Sequence, residues 1–438
     1  MDGPGTTPGE FRPDNPHDPY AALRLRNVRL YLGGNVVSNL GMQMQDVAIG
    51  WEIYERTGSA MALGWVGLVL ILPVIALALP AGHVADNHDR RRIVMVAQVF
   101  VALSSLGLTI VSVTGADYRL MYLMLLGIGT ARAFSQPARS SLFPQIVPRE
   151  RFSNAVTWNS GGFQIASVLG PAIGGGLIGL LHRAAPVYVL NALAAMTWFA
   201  AMKLIVYRPE PRGSEAMTLR SLSAGIRFLW HAPTVLGAIT LDMFAVLLGG
   251  AGTLLPIYAK DILCVGPEGL GWMRAAPGLG ALCMAAYLAY RPPLRKAGRA
   301  LLWSVAAFGV ATIVFGLSRS YWLSLAMLFV TGAVDNVSVV VRHTLVQLLT
   351  PDAMRGRVSA INSMFIGASN ELGGFESGLV AALFTPTVSV VSGGIGTLLV
   401  VAAVALACPT LVRYGRLGEP EVRGAKQTPE GGGCARHA

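Results

Sequence analysis

The residues that could carry chemistry in this chain are few, and they stand in unusual places. Asp46, Arg132, Asp242 and Asp335 each lie inside a long apolar stretch, as do Arg342, Glu371 and Glu376. A charge at the centre of a bilayer costs about 2.5–3.5 kcal/mol on insertion scales, so a residue kept there needs a partner or a task. Carboxyl groups in that setting suit proton exchange. Burial favours the neutral acid and a nearby guanidinium favours the carboxylate, so a change of surroundings moves a proton. Asp46, Asp242 and Asp335 are therefore candidate proton carriers, with Arg132 as the ion-pair partner of one of them in one state. Each reads equally well as a fixed polar group that holds helices together. Glu371 and Glu376, five residues apart, fall on different helix faces; with Arg342 they are expected to gate or brace, one glutamate meeting Arg274.

Other chemistries lack their residues. The cysteines Cys264, Cys283, Cys408 and Cys434 show no C-x-x-C spacing, and no His, Cys or carboxylate set has metal-ligand spacing, so neither a metal nor another cofactor is expected. His83 and His88 have no partner motif, which argues against a membrane enzyme. No G-x-x-x-x-G-K segment is present to couple ATP.

The elements that must position these charges are membrane spans. Of 438 residues 53% are hydrophobic and 13% charged, against roughly 25% charged in ordinary soluble domains. Uncharged stretches such as 93–115 and 388–412 reach the roughly 20 apolar residues that a spanning helix needs. The pattern predicts twelve spans, at 29–54, 62–84, 93–115, 119–146, 154–181, 186–206, 232–258, 268–290, 299–317, 321–347, 355–383 and 388–412.

The net charge of +11 does not point to nucleic acid, because the basic residues sit in short runs between apolar segments. Runs around Arg24 to Arg29, Arg90 to Arg92, Arg149 and Arg151, Arg208 to Arg227, Arg291 to Arg299, Arg355 and Arg357, and Arg413 and Arg416 alternate with connections holding only Arg56, Arg119, Arg183, Lys260, Arg274 and Arg319. By the positive-inside rule this puts both termini in the cytosol. A receptor or scaffold would carry a larger soluble domain than these tails provide.

The expected division is a cytosolic tail (1–28), a first six-helix bundle (29–207), a linker with an amphipathic surface helix from Met217 to Trp230 (208–231), a second six-helix bundle (232–412) and a cytosolic tail (413–438). The bundles are related without gaps at an offset of 203. Gly129 falls on Gly332, Ser135 on Ser338, Arg139 on Arg342, Asn159 on Asn362 and Gly170 on Gly373. The same offset lays Arg132 on Asp335. Parallel repeats of this kind place a substrate site at their interface near mid-membrane.

Two motifs carry a resemblance. Gly82-His83-Val84-Ala85-Asp86-Asn87-His88-Asp89-Arg90-Arg91-Arg92 follows the second span, and Gly170-Pro171-Ala172-Ile173-Gly174-Gly175 lies in the fifth. The first resembles the G-x-x-x-D-x-x-x-R-R loop of the major facilitator superfamily, departing from it at Asn87 and Asp89. The second resembles that superfamily's antiporter motif, with Thr157 weakening the upstream part. Small residues there let helices approach closely, and Pro171 removes a helix hydrogen bond. Further stretches, including Pro137-Ala138-Arg139, Val147-Pro148-Arg149-Glu150, Arg355-Gly356-Arg357-Val358-Ser359 and Asn370-Glu371-Leu372-Gly373, are similar to the enterobactin-exporter branch and its drug-exporting relatives.

The resemblance implies an all-α fold of twelve helices in two pseudo-symmetric bundles, with the charged spans one, four, seven and ten lining a central cavity. It implies a conformational latch in which Asp86 pairs with Arg139 or Arg357, and a monomer in the inner membrane exporting a small amphiphile in exchange for protons. A lysophospholipid or metabolite transporter of other direction is the alternative. Met42, Gln43, Met44, Gln45, Trp51, Trp158, Asn159, Gln164, Asn336 and Phe365 are candidates for an adaptable cavity wall.

Overall fold

Helices fill nearly every stretch long enough to cross a bilayer. The computed structural model describes residues 18–206, 227–291 and 296–415, without the side chains of Asp352, Ala353, Arg355, Arg357 and Ala360. The first six spans are α1 (Arg26–Thr57), α2 (Ala60–Ala76) with α3 (Ala78–Asn87), α4 (Arg90–Thr114), α5 (Arg119–Ile146), α6 (Phe152–Leu181) and α7 (Ala185–Leu204). The second six are α8 (Pro233–Leu248) with its short continuations to Ile262, α9 (Gly266–Ala289), α10 (Ala297–Leu317), α11 (Tyr321–Leu349), α12 (Asp352–Leu383) and α13 (Pro386–Ala407). Most of the expected surface helix, 217–226, lies outside the described residues, as do 1–17 and 416–438 of the tails.

Two expected spans are broken. The second bends by 53° between α2 and α3. Pro80 lacks the N–H that would bond to the carbonyl of Ala76, and its ring crowds that carbonyl. The seventh stops at Leu248, crosses Gly249 and Gly250, and resumes as a 3₁₀ turn (Ala251–Leu254) and a wide turn (Tyr258–Ile262). Glycine is needed at this break. A Cβ on Gly250 would come within 2.8 Å of the Gly373 carbonyl oxygen, so α12 approaches the interrupted backbone directly.

The helices pair in the same way twice. α1 packs on α6 and α7, α4 on α5 and α7, and α2 on α5; correspondingly α8 packs on α12 and α13, α10 on α11 and α13, and α9 on α11. Two further pairings, α2 with α12 and α6 with α9, join one set to the other.

Glycines make both seams possible. A Cβ on Gly378 of α12 would stand 2.7 Å from the Cα of Gly64 on α2, and one on Gly271 of α9 would stand 2.6 Å from the Pro171 carbonyl of α6. These contacts lie toward the end of the bundle opposite the arginine runs. At that end the Tyr54 hydroxyl also donates to the Asp261 carboxylate across the seam. Toward the arginine-rich end α6 is uncovered on most sides, with Ser153, Val156, Thr157, Trp158, Ser160, Gly161 and Phe163 exposed. From Gln164 to Gly179 only Ile165, Leu169 and Ile173 are, a single outward stripe at helical spacing. The two sets are therefore sealed together at one end and α6 stands apart at the other.

Among the described residues, seven helices are long and apolar enough to cross a membrane on those grounds, or eight if α2 and α3 count as one span. The four that fall short are α1, α5, α9 and α12. They share a reason for being too polar.

Candidate functional site

Each of the four polar helices sends one charge to a common point. Asp46 of α1, Arg132 of α5, Arg274 of α9 and Glu371 of α12 line a cavity of 130 Å³ together with Gly50, Gly67 and Thr253. Arg132 Nη2 lies 3.6 Å from Asp46 Oδ1, with both side chains less than a third exposed. Arg274 faces Asp46 and Glu371, and Glu371 in turn faces Arg132. Two acids and two guanidinium groups balance, one of each coming from either six-helix set. Backbone room for them comes from glycine: a Cβ on Gly67 would stand 3.1 Å from Glu371 Oε2, and one on Gly50 3.5 Å from an Arg274 nitrogen.

Arg274, counted with the connections away from the arginine runs although the eighth span was drawn from 268, lies two turns inside α9, with its Nε buried and without a hydrogen-bond partner among the described residues. The glutamate expected to approach it is Glu371.

Larger chambers flank the cluster. On the side of the second set a cavity of 380 Å³ is lined by the broken segment 249–253, by Phe308, Phe315 and Leu328, and by Asp335, Asn370 and Arg274. Asp335 makes no ion pair with any described residue. On the side of the first set a cavity of 280 Å³ holds Asn39, Gln45, Gln98, Ser135, Arg132, Arg139 and Asn191. Arg132 thus borders the cluster and the first chamber, and Arg274 borders the cluster and the second. Three spaces, the central one polar, are joined across the seam with a guanidinium at each junction.

The arrangement is that of a transporter. The chain matches the profile of the transmembrane secretion effectors over residues 17–414. It belongs to this family of major facilitator transporters. It is 26% identical over 389 residues to the enterobactin exporter EntS of Escherichia coli K12, covering 88% of this chain and 92% of that protein, with the same figures for EntS of Shigella boydii serotype 18. Among solved structures it is similar to the nucleoside transporter NupG (TM-score 0.66, 12% identity, 86% and 99% of the two chains) and to a bacterial homologue of the iron transporter ferroportin (0.67, 14%, 89% and 99%). A peptide transporter of the POT type gives 0.68 at 12% identity, over 92% and 100%. These likenesses establish the fold, and the family makes the protein a secondary transporter rather than an enzyme.

In this facilitator the other expected residues fall into distinct groups. Asp242 and Arg342 form an ion pair within the second set, with side chains 6% and 3% exposed, so Asp242 is bound to a partner rather than open to the cavity. Arg139, expected to meet Asp86, instead lays its guanidinium over the Trp198 ring at 3.7 Å, and among the described residues no carboxylate pairs with it. The side chain of Arg357 lies outside the described residues, and Asp86 sits half-buried in the last turn of α3. A Cβ on Gly82 would meet nothing within 4 Å, so this glycine marks no close helix contact and faces open space.

The remaining loop residues tie helix ends. Asp89 caps α4, accepting from Arg91 N at 3.0 Å, while the Arg90 and Arg91 side chains donate to the carbonyls of Ala85 and Lys203 at the ends of α3 and α7.

Within Gly170-Pro171-x-x-Gly174-Gly175 the glycines face two ways. Gly174 meets the Met44 backbone of α1 inside the first set, with a Cβ there 2.9 Å away, whereas Gly175 meets Gly271 of α9 across the seam. The helix runs unbroken through Pro171. Glu376 lies beside Ser377, away from the cluster.

Several expected wall residues are structural. Met44 and Trp51 are core, and Trp158 is held by the segment before α1, stacking on Tyr20 and donating to the Pro19 carbonyl at 2.9 Å. Asn159 accepts from Asn35, and Gln164 donates to the Gly278 carbonyl at 2.7 Å across the seam. Met42 and Gln45 do line the first chamber.

Proposed function

We propose that the protein exports a small amphiphilic compound across the cytoplasmic membrane by alternating access, in exchange for protons, as a monomer with both termini in the cytosol. The observation that carries this reading is the charge cluster. Two spans of each six-helix set contribute, so any rocking of one set against the other must separate or regroup Asp46, Arg132, Arg274 and Glu371. Free energy put into the cluster by a proton or a substrate is thereby coupled to the motion.

With the arginine runs taken as cytosolic, the seams at Gly64–Gly378 and Gly175–Gly271 close the outer side, and the uncovered end of α6 faces the cytosol. This state receives cargo from inside. Asp335 is the acid assigned to carry the proton. It can gain and release one without breaking an ion pair, whereas Asp242 is held by Arg342 and Asp46 by Arg132. The apolar wall of Phe308, Phe315 and Leu328 beside Asp335 suits an amphiphile, and EntS, an exporter by its name, supports the outward direction.

The test is proton release from inside-out vesicles on adding amphiphilic compounds, with the Asp335→Asn protein in parallel. Release by the unaltered protein that is absent from the variant is the expected result. Equal release by both would remove Asp335 from the pathway, and no release with any exported compound would exclude proton exchange.

A further inference from the structure

The offset of 203 that relates the two sets also relates the first chamber to a smaller space of the second set, distinct from the 380 Å³ cavity. Asn39, Met42, Val101, Arg132 and Ser135 of the first chamber correspond to Asp242, Ala245, Ser304, Asp335 and Ser338, which line the equivalent space of the second set. Arg139 and Arg342 correspond in the same way.

The two spaces differ in how they treat that arginine. In the second set Asp242 neutralises Arg342, and the space that Asp242 lines with Asp335 and Ser338 holds only about 10 Å³. In the first set the corresponding position is Asn39, the chamber holds 280 Å³, and Arg139 has a tryptophan ring and, among the described residues, no acid. Its electrostatic neighbours are Tyr31 and another cation, Arg132, and its Nε is buried without an acceptor. A half-buried guanidinium with a buried, unpartnered Nε and no carboxylate among the described residues is answered by an oxyanion, through charge and a forked pair of hydrogen bonds.

We propose that the first chamber is an oxyanion subsite centred on Arg139, and that the exported amphiphile carries a carboxylate- or phosphate-type group which docks there while its apolar body extends toward the seam. The proposal rests on the export reading for the ligand's role as cargo, but the subsite stands or falls separately. Arg139 lies in the half of α5 nearer the arginine-rich end, on the side where α6 is uncovered, so the anion enters from the end assigned to the cytosol. The N-terminal acid of this pseudo-symmetric pair is absent because the cargo supplies it.

Binding at equilibrium tests this without reference to direction or coupling. The full chain in nanodiscs is dialysed against 4-phenylbutyrate and, separately, its neutral isostere 4-phenylbutanamide. The expected result is at least a tenfold preference for the carboxylate, lost in Arg139→Gln and partly restored in Arg139→Lys.

A second variant guards against a packing defect. Asn39→Asp supplies the acid that the second set has, removes no volume, and is expected to abolish the preference while leaving the amide's binding within twofold. Equal binding of the two probes, binding of neither, or a preference that survives Asn39→Asp and Arg139→Gln together overturns the proposal. A preference that behaves as expected in a protein that exports nothing would refute the export reading and leave the subsite intact.

Discussion

Whether Asp242 works in transport or only braces the second set can be decided by a double-mutant cycle on its pair with Arg342. Both side chains are almost wholly buried. Removing one partner strands a charge in a low-dielectric interior, a loss of about 3–5 kcal/mol, whereas replacing both by apolar residues of similar size is close to neutral. The perturbations are Asp242→Leu, Arg342→Met and the two combined. For a unit of this size each kcal/mol moves the unfolding midpoint by about 2–4 °C. Either single change is then expected to lower the midpoint by about 6–20 °C.

The double variant is expected to recover most of that loss, giving a coupling energy of about 5 kcal/mol or more between the residues. Thermal unfolding of the detergent-purified protein, followed by near-ultraviolet circular dichroism, supplies the stability, and proteoliposome exchange supplies the activity. A stable double variant that still transports makes the pair structural. Single variants that unfold with the unaltered protein, or a stable double variant that no longer transports, would refute the reasoning and return Asp242 to the working pathway.

Other outcomes follow from the seams and the cluster. Gly64→Val places a branched side chain against Phe375 and Gly378, so it is expected to part α2 from α12; the distance between spin labels at Ala116 and Arg319, read by pulsed EPR, should lengthen. Tyr54→Phe removes a hydrogen bond to a charged group, worth about 1.5–3 kcal/mol, and should shift the same distance distribution by roughly tenfold or more in population; an unchanged distribution would show that the bond does not hold the outer side shut. Glu371→Gln leaves Arg274 and Arg132 facing one acid instead of two. It is expected to cut exchange at least tenfold while the protein folds normally by size-exclusion chromatography, and a full-rate variant would take Glu371 out of the cluster's work.

Much of the fold was legible because span length, arginine placement and the offset of 203 are properties of the chain taken locally. That Arg132 needs an acid was readable for the same reason, Asp46, Asp242 and Asp335 each being an isolated charge on a long helix, but which of them it meets was not. What could not be read was the full set that meets across the seam. A glutamate near Arg274 was expected, but that it is Glu371, and that both join Asp46 and Arg132, depends on α1, α2, α9 and α12 crossing at Gly50 and Gly67. Arg139 illustrates the converse. Its type and position near a helix end suited a latch, but burial beside Trp198 and the loss of an acid at Asn39 are visible only once the two sets are folded and compared. The breaks at Leu77 and Gly249 escaped because a proline or glycine pair marks a kink only where a neighbouring helix exploits it.

The polarity of α1, α5, α9 and α12 has a consequence for how the protein is made. A helix too polar to leave the translocon alone must wait for a companion. Each of these four is joined by a short connection to an apolar neighbour, α2, α4, α10 and α13 respectively. Synthesis would therefore deliver them to the bilayer as hairpins, each working helix sheltered by its partner; Asp46 and Arg132 could pair within the first set, and the four-charge cluster would be complete only after both sets had left the ribosome.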